Sequence, residues 1–339
     1  MIRSNDAQLS FLIAGLGSVG KRHLRNLLKL GYSDIRLLHH QKSAVPDPEL
    51  APFPAYYDVT SAVADRPTAV IVANATFAHM DVALKAAKAG CHLFLEKPIS
   101  HSCVGLAELL LRQDKQHLII ATGFQFRFHP ALREIKRWLD NLCIGPLVSV
   151  QAHWGEYLPG WHPWEDYRVS YAGRRDLGGG VVLTLCHPFD YLRWLVGEVR
   201  TVYARTARRS GLEINTEDTA AIILEFSDGT LGTVYLDYVQ REPDHRLTFI
   251  GQNGCIRWNS NSGIASMSLG EPFDWQEFKP HVEFERNIMF VDELADFIDA
   301  VRNQREPVCT LRDGISALNI ALSALIAAED KKEIYVTPV

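Results

Sequence analysis

Leu9 to Ala14 is an unbroken apolar run stopped by Gly15, the pattern of a short buried strand. From Val19 to Leu30 the period becomes helical, with Leu24, Leu27 and Leu28 on one face and Gly31 closing the helix. The alternation repeats. Asp34 to His40 and Thr68 to Asn74 predict two more strands, separated by a loop with four prolines from Val45 to Ala55. A helix from about His79 to Ala89 is stopped by Gly90, Cys91 to Pro98 reads as strand then break, Ser100 to Gln113 as helix, and His117 to Gly123 as strand. Strands alternating with helices of this length imply parallel pairing through right-handed crossovers. Residues 1–124 therefore read as a doubly wound α/β sheet.

The pattern then changes. Gly145 to Trp154 and Val199 to Arg208 are strand-like, and Asp218 to Val239 is two strands joined at Asp228-Gly229, a strong hairpin signal. Arg246 to Ser260 repeats that form around Asn253-Gly254. Residues 125–339 thus predict an α+β domain with a large open, mainly antiparallel sheet. Helices near His187 to Val196, Ile288 to Val301 and Gly314 to Ala328 are its expected cover.

A chain of 339 residues is long enough for two domains, which agrees with this division. A formal net charge of −5 argues against nucleic acid as a partner, because a phosphate backbone needs a basic face. The six cysteines form no CxxC pair and read as reduced thiols of a cytoplasmic protein. No metal-ligand spacing stands out, no apolar run reaches the ~20 residues of a membrane span, and no signal-peptide core precedes Phe11.

Gly15-x-Gly17-x-x-Gly20 lies between the first strand and the first helix. In that context the first glycine allows a tight turn, the second lets backbone approach a pyrophosphate, and the third allows close packing of helix on strand. The phosphates would lie over the helix N-terminus at Ser18 and Val19. The expected cofactor is a nicotinamide dinucleotide, NAD(P), and the domain a Rossmann fold. The second strand ends in His39, His40 and Lys42 where a ribose-gripping carboxylate would stand. Its absence removes the main argument for strict NAD preference, and Lys42 could meet a 2′-phosphate, which favours NADP. The same residues also read as a solvated strand end.

Glu96-Lys97-Pro98 ends another parallel strand, on the edge where open α/β sheets bind ligands. A lysine there can exchange a proton with a reacting hydroxyl. The stretches "GLGSVGKRHL", "VANATFAHMDVALKAAKAGCHLFLEKPIS", "FRFHPAL" and "GGGVVLTLCHPFDYLRWLVG" together resemble the Gfo/Idh/MocA oxidoreductase family over nearly the whole chain. The resemblance implies hydride transfer between NAD(P) and a sugar or polyol carbon, and a second domain whose sheet forms a homodimer or homotetramer. It implies Lys97 as catalytic lysine, Glu96 by the nicotinamide ribose, and a cis bond before Pro98. It further places Asn74, Ala75, Thr76 and His79 along the dinucleotide, and Arg127 where the chain enters the second domain. The family pattern of a glycine run, an aspartate and then a histidine four residues later is altered here. Gly178-Gly179-Gly180 is followed by Thr184 and, three residues on, by His187, with Asp190 beyond. Threonine cannot supply the missing charge, so His187 would share proton transfer with Lys97 unless Glu156, Glu165 or Asp166 stands in.

The loop from Glu156 to Asp176 interleaves Trp161, Trp164, Tyr167 and Tyr171 with His162, Arg168, Arg174 and Arg175. Aromatic rings pack against sugar faces and arginine forks bind anions, so Trp161, His162, Trp164, Arg168, Thr184 and His187 are expected to line the substrate site, with Arg127. Loop packing or a subunit contact is the bland alternative. The expected substrate is a small carbohydrate, an acidic sugar or nucleotide-sugar. Two other readings stay open: a redox-elimination enzyme that re-reduces its own intermediate, and a non-catalytic dinucleotide sensor.

Overall fold

The computed structural model describes residues 9–39, 47–163, 165–271 and 274–339. In the first unit β1 (Phe11–Ala14) leads into α1 (Ser18–Lys29), followed by β2 (Ile35–Leu38), β3 (Ala55–Tyr56) and α2 (Val59–Ala64). Next come β4 (Ala69–Val72), α3 (His79–Lys88), β5 (His92–Glu96), α4 (Leu106–Gln116) and β6 (Ile120–Gly123). The strands form one parallel sheet in the order β3-β2-β1-β4-β5-β6. β1 and β4 are buried along their whole length, which explains their continuous apolar sequence: helices cover both faces. The chain reverses direction across the sheet between β1 and β4, the switch point where such sheets open a crevice at the strand C-termini.

The second unit contains α5 (Pro130–Asp140), β7 (Leu147–Tyr157), α6 (Val181–Thr184), α7 (His187–Leu195) and β8 (Val199–Ala207). β9 (Thr219–Phe226), β10 (Leu231–Asp237), β11 (Val239–Gly251), β12 (Cys255–Asn259), β13 (Ala265–Ser268) and β14 (Trp275–Phe278) follow. With a C-terminal strand, β15 (Ile334–Tyr335), they make a nine-stranded sheet, β14-β13-β12-β11-β7-β10-β9-β8-β15. Every pairing is antiparallel except β7 with β10. The β9–β10 hairpin closes where the sequence predicts it: Gly229 takes φ +90° and the Asp228 carboxylate accepts the Thr230 amide at 2.9 Å. One face of the sheet is apolar and buried, through Ala220, Ile222, Leu224 and Phe226 on β9 and Val234 and Leu236 on β10.

Two helices complete the chain, α8 (Arg286–Asn303) and α9 (Leu311–Asp330). The expectation that α8 covers the antiparallel sheet needs correction. By contacts the segment Arg286–Leu311 belongs with the residues up to Phe124, and the second unit is Gln125–Glu285 with Arg312–Val339. Leu294, Phe297, Ile298 and Val301 of α8 pack into the core made by Phe11, Ile13, Leu24, Leu27 and Phe94. Their apolar spacing reveals a buried face but not which sheet buries it. α9 is long and apolar enough by composition to cross a membrane, yet more than half of its apolar stretch is buried inside the protein. Its Leu318, Ile320, Ala321 and Ala324 are core residues. No disulfide joins any of the six cysteines.

Candidate active site

The three glycines divide their work by geometry. A Cβ on Gly15, which has φ +95°, would lie 2.3 Å from the Asn74 amide, and one on Gly20 would lie 1.9 Å from the Gly15 carbonyl oxygen. These two therefore let the turn after β1, the loop after β4 and α1 close on one another. Gly17 meets nothing within 4 Å. It is the N-cap of α1, whose first turn carries no acidic residue, so the free amides at Ser18 and Val19 keep their full affinity for an anion.

Across the switch point, Asn74 Oδ1 is buried without a hydrogen-bond partner among the described residues. An open glycine at a helix N-terminus, facing a loop with an unsatisfied amide, fits the phosphates and polar edge of a dinucleotide. Thr76 is buried in a short 3-10 turn beside Ala75. His79 is placed differently from the expectation. Its Nδ1 faces the Pro98 carbonyl at 3.0 Å and its Nε2 the Asn74 carbonyl at 2.9 Å. Burial pushes it below the usual histidine range, so a neutral ring donates to one of these carbonyls and ties the loop after β4 to the turn after β5.

That turn carries Glu96, Lys97 and Pro98, and the Lys97–Pro98 peptide is cis. Glu96 is buried. Its Oε1 lies 2.7 Å from His23 Nε2 on α1, and its Oε2 accepts the Lys97 amide at 3.3 Å. Burial alone would raise this carboxyl, but His23 and then Lys97 hold it below the ordinary range. Lys97 is half-buried. Sequence reasoning did not single out His23, which lies 73 residues from its partner. The available signal was a lone histidine on the apolar face of α1, beside Leu24 and Leu27. His39 packs its ring against Tyr57, with centroids 5.4 Å apart. His40, Lys42 and Trp164 lie outside the described residues.

In the second unit His187 opens α7 and is 2 % exposed. Its ring stacks on Trp154, with centroids 5.4 Å apart, and meets the edge of Phe126 at 5.0 Å. Thr184 ends α6, so the altered spacing separates two helices rather than two turns of one. Of the three carboxylates that could replace the missing aspartate, Glu156 accepts the Trp154 indole N–H at 2.8 Å and Asp166 pairs with Arg168. A fourth escaped sequence reasoning. Glu217 accepts the Val182 amide at 3.2 Å and fills the space beside Gly180, and burial pushes its carboxyl upward.

Trp161 and His162 line one cleft with Leu158, Glu165, Tyr167 and Ser170. Arg168 is given other partners: its guanidinium grips Asp166 at 2.8 Å and Glu213 at 2.8 Å. Arg174 likewise pairs with Asp176. Arg127 is buried, with Nη2 2.7 Å from Asp190 and 3.1 Å from Asp313, so its fork is committed within the protein.

Two family models match. Residues 9–124 fit the oxidoreductase family with an NAD-binding Rossmann fold, and residues 132–257 fit the GFO/IDH/MocA C-terminal domain. The chain belongs to the Gfo/Idh/MocA oxidoreductase family. It is 27% identical to a myo-inositol 2-dehydrogenase of Thermotoga maritima, over 95% of this chain and 97% of that one. Its fold is similar to levoglucosan dehydrogenase in complex with NADH, with TM-score 0.86, 17% identity, and 98% and 100% of the two chains covered. It is also similar to the WlbA dehydrogenase from Bordetella pertussis in complex with NADH and UDP-GlcNAcA, with TM-score 0.83, 21% identity, and 98% and 99% covered. For this family member the first-unit geometry is that of a dinucleotide-binding fold, and the order of its two sheets is the one the sequence predicts.

Proposed function

We propose that this protein is an NAD(P)-dependent oxidoreductase acting on a CH–OH carbon of a sugar or polyol. The carrying observation is that Gly15–Gly17, Asn74 and Glu96–Lys97 follow or end three neighbouring strands, β1, β4 and β5, on one edge of one parallel sheet. A bound nicotinamide dinucleotide supplies the two-electron acceptor or donor. Gly17, Ser18 and Val19 bind its phosphates, with Asn74, Ala75, Thr76 and Glu96 alongside. Lys97 takes or returns the hydroxyl proton at Nζ, and His187 is its partner in the proton chemistry. His79 holds the lysine turn through the Pro98 carbonyl.

No carboxylate follows Leu38 at His39, so discrimination against a 2′-phosphate is weak and NADP is accepted at least as well as NAD. Because Arg168 and Arg174 already pair with carboxylates, an anionic sugar must compete for them, and a neutral sugar or polyol is the first substrate class. Acidic sugars and nucleotide-sugars are the second. Six cysteines without a disulfide suit a reducing cytoplasmic setting.

The test is thermal unfolding with NADH and with NADPH, then a panel of polyols, neutral sugars, sugar acids and nucleotide-sugars. A ligand at about 100 times its Kd stabilises the folded state by about 2.7 kcal/mol. Both coenzymes should raise the melting temperature, NADPH at least as much as NADH. No shift with either overturns the reading. Coenzyme binding without turnover would favour a sensor, and turnover with no net coenzyme consumption would favour redox elimination.

The outward face of the large sheet carries Tyr203, Ile223, Leu231, Tyr235 and Ile250, all exposed. Tyr203 pairs across to Ile223, which puts both in one row. A patch of this kind is the proposed homo-oligomer surface. Ile223→Lys should convert the assembly to monomers in light scattering while the fold, read by circular dichroism, is unchanged. A wild-type protein that is monomeric at the same concentration rules this surface out.

A further inference from the structure

We propose that Glu293 is a positioning residue that holds a proton behind the Glu96–Lys97 turn, leaving Glu96 as the single anion beside His23 and Lys97. The inference rests on the reading of Lys97 given above. Glu293 lies on α8, the helix that returns to the first unit, and is 3 % exposed. Neither of its carboxyl oxygens has a hydrogen-bond partner among the described residues. α8 packs on α1 around it. Arg22 lies over the Phe290 ring at 4.3 Å, and Asn287 donates to Asn26 Oδ1 at 3.0 Å. His23 Nδ1 and Asn26 Nδ2 on the facing side of α1 are also buried without a partner. The His23 ring meets Phe94 at 5.0 Å, and Phe94 meets Phe297 of α8 at 5.7 Å, so apolar rings wall the cluster.

An ionised carboxylate in such a place, unpaired and out of water, is costly, and the cheaper state keeps the proton. The charged groups that face Glu293 among the described residues are Glu96 on β5 and Arg22 on α1. Arg286 acts on Arg22, and His23 and Lys97 act on Glu96. Burial drives Glu293 far above the ordinary glutamate range, Glu96 adds to the shift, and Arg22 opposes it. His23 and Lys97 push Glu96 the other way, against burial. Two neighbouring carboxyls are thus driven apart, one kept neutral and one kept charged, and the charged one accepts the Lys97 amide.

A carboxyl whose folded value is raised contributes stability that is fully present below the ordinary glutamate range. That contribution is lost as pH climbs through the raised value. Full-length wild type and Glu293→Gln are compared by difference infrared spectroscopy, thermal unfolding and NADH fluorescence titration, each across pH. Wild type minus variant should show the carbonyl stretch of a buried protonated carboxyl at pH 7. Wild-type melting temperature should fall relative to the variant as pH rises from about 5. NADH affinity of wild type should hold through pH 7 and weaken several-fold only as pH climbs through the raised folded value, while that of Glu293→Gln stays level, because in the variant no second anion forms behind Glu96.

Absence of the protonated-carboxyl band, or the same pH dependence in both proteins, overturns the proposal. A merely packed side chain would not move the pH profile. If Glu293→Gln does not fold, wild type carrying isotope-labelled glutamate gives the same infrared titration alone. If neither NADH nor NADPH binds either protein, the dinucleotide reading falls, and the infrared titration still decides the protonation of Glu293.

Discussion

Lys97→Ala should lower turnover by about 100- to 10,000-fold, the range by which a positioned acid–base group accelerates a reaction. NADH affinity in the same variant should stay within about threefold of wild type, since the phosphate contacts do not involve this side chain. The two effects separate because of how the turn is built. What fixes its backbone is the Glu96 carboxylate accepting the Lys97 amide and the Pro98 carbonyl meeting His79, and alanine keeps both. Only Nζ is lost. Lys97→Arg is the sharper control, because it keeps the positive charge beside Glu96 but cannot give up its proton at working pH. It should retain coenzyme binding and lose turnover. Steady-state kinetics with the substrate found in the panel, beside a fluorescence titration with NADH, measure both quantities. Turnover within a few-fold of wild type in Lys97→Ala would take the lysine out of the chemistry and leave His187 as the proton acceptor.

The first sheet was legible because its signals are local. A fully buried parallel strand has to be continuously apolar, as Phe11 to Ala14 is, and a glycine that must take φ +95° against the next strand's loop is visible as Gly15. Hairpins in the second sheet carry their own turn chemistry at Asp228-Gly229. What the sequence hides is partnership over distance. His23 and Glu96 are 73 residues apart, and Arg127 and Asp190 are 63 apart. Nothing local separates a histidine that binds a ligand from one that braces a turn, so His79 reads equally well as either until Pro98 and Asn74 are seen at its two nitrogens. α8 makes the same point for packing. Its apolar stripe is plain, but an apolar stripe carries no address, and the helix joins the sheet that ended more than 160 residues earlier in the chain.

Arg127→Leu should cost about 3–5 kcal/mol of stability, the usual penalty for removing one partner of a buried ion pair. The size comes from what remains. Arg127 bridges the 3-10 turn after β6 to Asp190 on α7, through 3.1 Å and 2.7 Å hydrogen bonds, and reaches Asp313 in the first turn of α9 at 3.1 Å. Asp190 is 1 % exposed, so without the guanidinium it must either stay charged in an apolar surround or take up a proton. Asp313 is better placed, because Arg193 still reaches it at 2.9 Å. The penalty should therefore sit mainly on Asp190, and the double variant Arg127→Leu, Asp190→Leu should recover much of the loss, as apolar replacement of whole buried pairs does elsewhere. For a unit of this size the single variant should melt on the order of 10 °C lower. Its coenzyme affinity should be unaltered, since every residue proposed to touch the dinucleotide belongs to the other unit. An arginine that served the substrate instead would give the opposite split, with the melting temperature held and KM raised.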